Sequence, residues 1–129
     1  MKINFYKGDL PASFRATNII ALDSETMGLN PKRDKLCLVQ ISNGDEICHL
    51  VKIDLSNKKP LNLIKILKNN KIQKIFHYAR FDVAIFKHNF KINIRSFKTC
   101  WEISSIEIYF HFDFIACIIY IFYLYHLFN

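Results

Sequence analysis

Three acidic residues interrupt apolar sequence and could do chemistry together. Asp23 and Glu25 directly follow residues 18–22, which read NIIAL. Residues i and i+2 of a strand point to one face with their Cα atoms ~7 Å apart, so these two carboxylates are expected to converge. Facing carboxylates repel unless a cation lies between them, and Mg²⁺ or Mn²⁺ prefers such oxygen ligands. Two such ions promote displacement at phosphorus. The alternative is that Asp23 only begins a turn.

The third acidic residue, Asp82, lies among Phe81, Val83, Ala84 and other apolar residues that leave little room for a solvated face. If a helix brought this carboxylate beside the first two, it would complete a metal site. The alternative is an acidic residue in the first turn of a helix, where the dipole favours it by ~0.3 to 1 kcal/mol. The two interpretations are compatible.

The segments that must position these residues alternate between strand and helix. Residues 18–22 form a continuous apolar run, the turn residues Gly44 and Asp45 separate two β-rich runs, and apolar residues recur at helical spacing after Pro60. The first three strands are predicted to form an antiparallel meander, and the mixture of strands and crossover helices predicts an α/β domain. The expected strands are residues 18–22, 36–42, 46–53, 72–76 and 92–97, and the expected helices begin at Pro60 and Ala79.

Charge is divided unevenly along the 129 residues. All 18 Lys and Arg and 8 of the 11 Asp and Glu lie in residues 1–98, which therefore carry a formal charge of +10. This balance favours a polyanionic partner such as nucleic acid, although a merely soluble lysine-rich face is the alternative. The length excludes a multidomain enzyme, and the 51% of apolar residues excludes wholesale disorder.

The last 31 residues differ from the rest of the chain. They carry a charge of −3 and hold 10 of the 19 aromatic residues. Residues 114–128 contain no formal charge, but fifteen residues are fewer than the ~20 needed to span a bilayer, which disfavours a membrane partner. The four cysteines show no metal-ligand spacing, so a reducing cytoplasm is the expected location, and Cys37 and Cys48 are expected to be small core residues.

Two long segments together resemble one known family. Residues 19–42, IIALDSETMGLNPKRDKLCLVQIS, resemble the first exonuclease motif of ribonuclease D-like members of the DEDD 3′-5′ exonuclease superfamily. Residues 75–90, IFHYARFDVAIFKHNF, resemble the second motif, with His77, Arg80 and Asp82 in register. The resemblance covers roughly residues 1–100 and implies an α/β, ribonuclease H-like mixed sheet with flanking helices, incomplete at the C-terminus.

The resemblance implies a role for each matching residue. Asp23, Glu25 and Asp82 become the catalytic carboxylates and the ligands of two Mg²⁺ or Mn²⁺ ions, with Asp82 acting directly or through water. The implied reaction hydrolyses RNA or single-stranded nucleic acid from its 3′ end and releases nucleoside 5′-monophosphates, with no small-molecule cofactor. His77 is expected to be structural. The implied nucleic-acid-binding residues are Thr26, Met27, Gly28, Leu29, Arg33 and Arg80, with Lys32 and Lys35 as further phosphate contacts.

The family also has a third motif, Tyr-x-x-x-Asp or His-x-x-x-Asp on a helix, well downstream of the second. Tyr109 and Asp113 match it literally, but residues 106–114 alternate with the period of a strand, which would hold the two side chains ~13 Å apart. We expect the match to be chance. Residues 1–100 are thus expected to be a partial exonuclease domain, and residues 101–129 an apolar aromatic tail produced by truncation or a frameshift.

The incomplete third motif leaves two alternatives open. The chain could be a noncatalytic nucleic-acid-binding remnant that uses its basic residues, or a peripheral or tail-anchored membrane protein built on residues 114–128.

Overall fold

The computed structural model describes residues 2–56 and 58–99. Six strands form one mixed sheet in the order β1-β4-β3-β2-β5-β6. The β1-β4, β2-β5 and β5-β6 pairs are parallel, and the β2-β3 and β3-β4 pairs are antiparallel. The elements are β1 (Lys2–Lys7), β2 (Ile19–Thr26), β3 (Leu36–Ser42), β4 (Ile47–Lys52), α1 (Leu61–Lys68), β5 (Gln73–Phe76), α2 (Ala79–Phe90) and β6 (Phe97–Thr99).

The antiparallel meander predicted from the sequence is confirmed, but its first strand is longer than expected. The prediction ended this strand at Leu22, whereas β2 continues to Thr26. Pairing with β3 extends it, because Asp23 lies opposite Gln40 and Glu25 lies opposite Leu38 in the ladder. Both acidic residues therefore lie on regular strand backbone, and the register shifts only between Glu25 and Thr26.

Both predicted helices are present. The prediction for residues 92–97 was wrong, since β6 comprises only Phe97–Thr99. Ile92 and Ile94 are buried against the core without joining the sheet, and their burial accounts for their strand-like alternation. The edge strand β1 was not predicted from the sequence.

The two helices cover one face of the sheet. Ile20 and Leu22 of β2 belong to the same buried cluster as Leu63 of α1 and Phe86 of α2. Because side chains alternate along a strand, Ser24 points to this helical face, and Asp23 and Glu25 point to the opposite face. The opposite face also carries a second, smaller apolar cluster, formed by Leu38, Cys48 and Leu50.

Two cysteines, Cys37 and Cys48, lie within the described part of the chain. Cys48 is buried as predicted, whereas Cys37 is only half-buried. Among the helices of the described residues, none is long and apolar enough to cross a membrane. The expectations for residues 101–129, including the match at Tyr109 and Asp113 and the apolar run 114–128, lie outside the described residues.

Candidate active site

The centre of the candidate site is the Asp23 and Glu25 pair on β2. Both side chains are half-buried and share one face of the sheet, as the strand periodicity predicted. The neighbouring strand supports one of them, since Gln40 Nε2 donates a hydrogen bond of 3.3 Å to Asp23 Oδ2. Gln40 is fully buried, so its amide is a fixed rather than a mobile partner. Sequence reasoning missed Gln40, although the β2-β3 register would have found it.

Asp82 reaches the same strand from the helical side. It lies in the first turn of α2 and is only 2% exposed. The Ser24 hydroxyl donates a hydrogen bond of 2.5 Å to Asp82 Oδ1. The helix therefore places Asp82 against the residue that separates Asp23 from Glu25. Strand alternation could have predicted this contact, had the strand been extended beyond Leu22.

Burial dominates the electrostatics of Asp82. It raises the pKa of the carboxyl from its ordinary value of 3.8 to about 7, because an ionised carboxylate loses its hydration there. Hydrogen bonds from the hydroxyl and backbone of Ser24 oppose this increase, and the negative charge of Glu25 adds to it. Such a group gains most from a nearby cation, which would stabilise its charged form.

The three carboxylates offer oxygen donors of the kind that a hard divalent cation prefers. Asp23 and Glu25 share a face, and Asp82 lies close enough to respond to the charge of Glu25. Within residues 2–56 and 58–99, however, no group of three or more His, Cys, Asp or Glu side chains is gathered closely enough to hold a metal ion. The described residues thus supply a pair of carboxylates on one face of β2 and a third carboxyl on its other side.

A tightly closed loop connects β2 to β3 beside the carboxylates. The Thr26 hydroxyl donates to the carbonyl oxygen of Gly28, and the Met27 N–H donates to the carbonyl oxygen of Lys35 at 3.0 Å. Gly28 approaches Asp34 so closely that a Cβ atom at this position would lie 2.3 Å from Asp34 Oδ2. Only glycine fits here without displacing that carboxylate.

Asp34 is the residue that closes this loop. Its carboxylate accepts hydrogen bonds from Arg33 Nε at 2.6 Å and from the Asn30 N–H at 2.9 Å. These bonds, the one from Arg33 first, hold the pKa of the Asp34 carboxyl below its usual value. The sequence-based prediction assigned Arg33 to nucleic acid, and the structure shows that its guanidinium already forms an ion pair with Asp34 while remaining 74% exposed.

Two apolar side chains project from the same loop into solvent. Met27 is 70% exposed and Leu29 is 87% exposed, although both follow directly on a half-buried strand. Exposed apolar side chains beside a polar site offer contact area for a flat ligand such as a nucleobase. Arg80 and His77 are also exposed, and Arg80 lies two residues before Asp82 in α2.

Comparison with known proteins agrees with this fold and arrangement. A family model described as 3′-5′ exonuclease matches residues 8–106. The structure of Brucella melitensis NrnC is 42% identical, with a TM-score of 0.71 over 77% of this chain and 49% of NrnC. NrnC with bound Mg²⁺ and NrnC bound to pGG match with the same identity and TM-score. No match was found among curated proteins.

More distant structures share the fold. Escherichia coli RNase D, an exoribonuclease involved in structured RNA processing, is 24% identical, with a TM-score of 0.54 over 64% of this chain and 21% of RNase D. The chain spans about half the length of NrnC. Since the family model covers most of the sequence and the NrnC structure shares the fold at 42% identity, the chain belongs to the DEDD family of 3′-5′ exonucleases.

Proposed function

We propose that the chain is a metal-dependent 3′-5′ exonuclease domain that hydrolyses RNA or single-stranded nucleic acid and releases nucleoside 5′-monophosphates. One observation carries this proposal. Asp23 and Glu25 share a face at the end of β2, and the buried Asp82 of α2 contacts Ser24 between them from the other side of the strand, in a chain of the exonuclease family. Carboxylates in this number and position serve phosphodiester hydrolysis.

In the proposed site, Asp23 and Glu25 hold two divalent ions, and Asp82 contributes directly or through a water molecule. The bound ions would supply activation of the attacking water and stabilisation of charge on the leaving 3′ oxygen. Mg²⁺ or Mn²⁺ is the proposed metal, and the Mg²⁺ bound in NrnC supports this choice. Gln40 and Ser24 act as positioning residues, because they fix the orientation of Asp23 and Asp82 through hydrogen bonds.

The loop after β2 is the proposed binding site for the 3′-terminal nucleotide. Its backbone is held by the Thr26–Gly28 hydrogen bond, and the exposed side chains of Met27 and Leu29 provide apolar contact for a base or sugar. Binding of pGG by NrnC supports a nucleic-acid substrate of this kind. The proposed phosphate contacts are Arg80 and the exposed part of Arg33. Tyr109 and Asp113 have no role in this proposal.

A noncatalytic nucleic-acid-binding protein is the second candidate. It is favoured by the charge of +10 on residues 1–98, together with the lack of a closed three-ligand group among the described residues. This candidate predicts salt-sensitive binding of oligonucleotides that survives removal of divalent ions. A reducing cytoplasm is the proposed setting for either function.

Product analysis distinguishes the two functions. A single-stranded RNA labelled at its 5′ end, incubated with Mn²⁺, is expected to shorten one nucleotide at a time, with 5′-monophosphates as the only small product. Chelation is expected to stop the release. Intact RNA after prolonged incubation, combined with binding that chelation leaves unchanged, would support the noncatalytic function instead.

A further inference from the structure

A second surface feature lies beside the proposed nucleotide-binding loop. A cleft with a volume of about 470 Å³ separates the segment 30–32 from the C-terminal half of α2. Pro31 and Ala84 contribute apolar surface to the cleft, and its cationic side chains come from both walls. These are Lys32 on the loop and Lys87 and Lys91 on the helix, and His88 also lines the helical wall.

The charges in this cleft are not neutralised by nearby carboxylates. No acidic residue lines it, and the ion pair between Arg33 and Asp34 involves none of its lysines. Lys87 also lies in the last turn of α2, where the negative end of the helix dipole favours a cation. The helix dipole does not explain Lys32, because this residue lies in the loop after β2 and lines the same cleft.

The backbone at the end of α2 shows that Lys91, like Lys32, is not explained by the needs of the helix. Lys91 caps the helix in the left-handed conformation, with φ 59° and ψ 40°, and its N–H donates to the carbonyl oxygen of Lys87 at 3.1 Å. Glycine is the residue that ordinarily suits this position. Helix termination alone therefore does not call for a lysine here.

One wall of the cleft runs along α2 on the C-terminal side of Asp82. Ala84, Lys87, His88 and Lys91 recur at helical spacing and so share a helix face. With a rise of 1.5 Å per residue, Ala84 lies ~3 Å and Lys91 ~13 Å beyond Asp82 along the axis. The opposite wall belongs to the loop proposed to hold the 3′-terminal nucleotide, so the cleft adjoins that loop.

We propose that this cleft binds the backbone phosphates of the single strand upstream of its 3′-terminal nucleotide. The inference rests on the proposed function, which sets the polarity of the bound strand, but binding of the strand can be tested without catalysis. Three ammonium groups from two walls match a chain of phosphates, and binding would release the counterions condensed on it. Pro31 and Ala84 give the adjoining sugars and bases an apolar surface.

The test compares two triple variants of equal charge by fluorescence anisotropy, in the presence of EDTA. One variant carries Lys32→Gln, Lys87→Gln and Lys91→Gln. The matched control carries Lys2→Gln, Lys7→Gln and Lys58→Gln, all exposed and near β1, which lies three strands from β2 in the sheet. The probes are a labelled single-stranded octanucleotide and a labelled dinucleotide, each titrated at several salt concentrations.

The cleft variant is expected to bind the octanucleotide about 10-fold more weakly, with the salt slope reduced by about 2, which corresponds to three lost contacts at ~0.7 each. The affinity of the control variant for the octanucleotide is expected to change less than about 2-fold. The affinity of the cleft variant for the dinucleotide is expected to change equally little. Equal weakening by both variants, or unchanged octanucleotide binding by the cleft variant, would overturn the proposal. Equal weakening for both probes would overturn the upstream placement. Because EDTA prevents turnover, these outcomes do not depend on whether the chain is an active nuclease.

Discussion

The Ser24 hydroxyl donates a hydrogen bond of 2.5 Å to the carboxylate of Asp82, although the two residues are 58 positions apart in the sequence. This contact joins the central strand of the candidate site to the first turn of α2. It also places a carboxyl whose pKa burial raises to about 7 behind the Asp23 and Glu25 pair. The contact is therefore both a structural link and a means of positioning a proposed ligand.

Removing this hydroxyl is expected to destabilise the fold. Ser24→Ala would leave the buried carboxyl of Asp82 without its side-chain donor, which typically costs about 1 to 3 kcal/mol of unfolding free energy. Urea denaturation measures this loss, and Ser13→Ala, at an exposed position, is the matched control. Equal stability of the two variants would show that the contact does not support the fold.

The raised pKa of Asp82 predicts a specific dependence of stability on pH in the absence of divalent ions. The native carboxyl holds its proton up to about pH 7, whereas in the unfolded chain it ionises near pH 4. Unfolding between these values releases a proton, so the contribution of Asp82 to the unfolding free energy falls as the pH rises from about 4 to 7. It is constant above that range, and the total decrease is about 2 to 4 kcal/mol.

Denaturation of the wild-type protein and of Asp82→Asn across this pH range, in EDTA, isolates the effect. The variant cannot ionise at this position and is expected to lack the decrease, while all other titrating groups stay the same. Parallel curves for the two proteins would mean that the pKa of Asp82 is not raised. Addition of Mg²⁺ is expected to flatten the wild-type curve, since a bound cation would favour the charged carboxylate.

Gly28 makes the proposed nucleotide-binding loop sensitive to a single methyl group. Because the Cβ atom of Gly28→Ala would meet Asp34 Oδ2 at 2.3 Å, the Asp34 carboxylate must move and its hydrogen bond from the Asn30 N–H is disturbed. The KM for an oligonucleotide is therefore expected to rise up to about 10-fold. Steady-state kinetics measure this change. Asp34→Ala provides the control, since the effects of the two substitutions are expected to be non-additive in the double variant. Independent, additive effects would argue against the contact as the cause.

The exposed side chains of the same loop should affect binding without affecting stability. Met27→Ser combined with Leu29→Ser removes little buried surface, so the unfolding free energy is expected to change by less than about 0.5 kcal/mol. If these side chains contact the terminal nucleotide, KM rises roughly 3- to 10-fold, because apolar contact area with the ligand is lost. Leu61→Ser, at a 60% exposed position on α1, should leave KM unchanged. A KM that also stays unchanged in the double variant would remove these residues from the proposed site.

Local pattern predicted most of the secondary structure, and the errors have physical causes. The sequence DSE is a poor strand former in isolation, and it becomes part of β2 only because β3 supplies the ladder partners for Asp23 and Glu25. The sequence did not predict β1, because it is an edge strand and its apolar residues are not buried: Ile3 is 40% exposed and Phe5 is 53% exposed. Its existence depends on parallel pairing with β4, a nonlocal interaction that the sequence pattern does not reveal.

The candidate site shows the same division between local and nonlocal information. Strand periodicity correctly placed Asp23 and Glu25 on a common face, and the apolar surroundings of Asp82 correctly predicted its burial. The partners Ser24 and Gln40 require the packing of α2 and the register of β3, respectively. The loop contact between Gly28 and Asp34 depends on the path of the backbone and on the hydrogen bonds that hold the Asp34 carboxylate.

The most direct test of the proposed function measures release of nucleoside 5′-monophosphates from a 5′-labelled single strand with Mn²⁺. Wild type is compared with Asp23→Ala and with Asp45→Ala, an equal loss of charge at an exposed turn residue. Asp23→Ala is expected to lower the rate at least about 100-fold, while Asp45→Ala and Asp113→Ala retain the wild-type rate. An Asp23→Ala variant that is as active as wild type, or a wild-type protein that releases no mononucleotide while binding the strand, would contradict a catalytic site at Asp23 and Glu25.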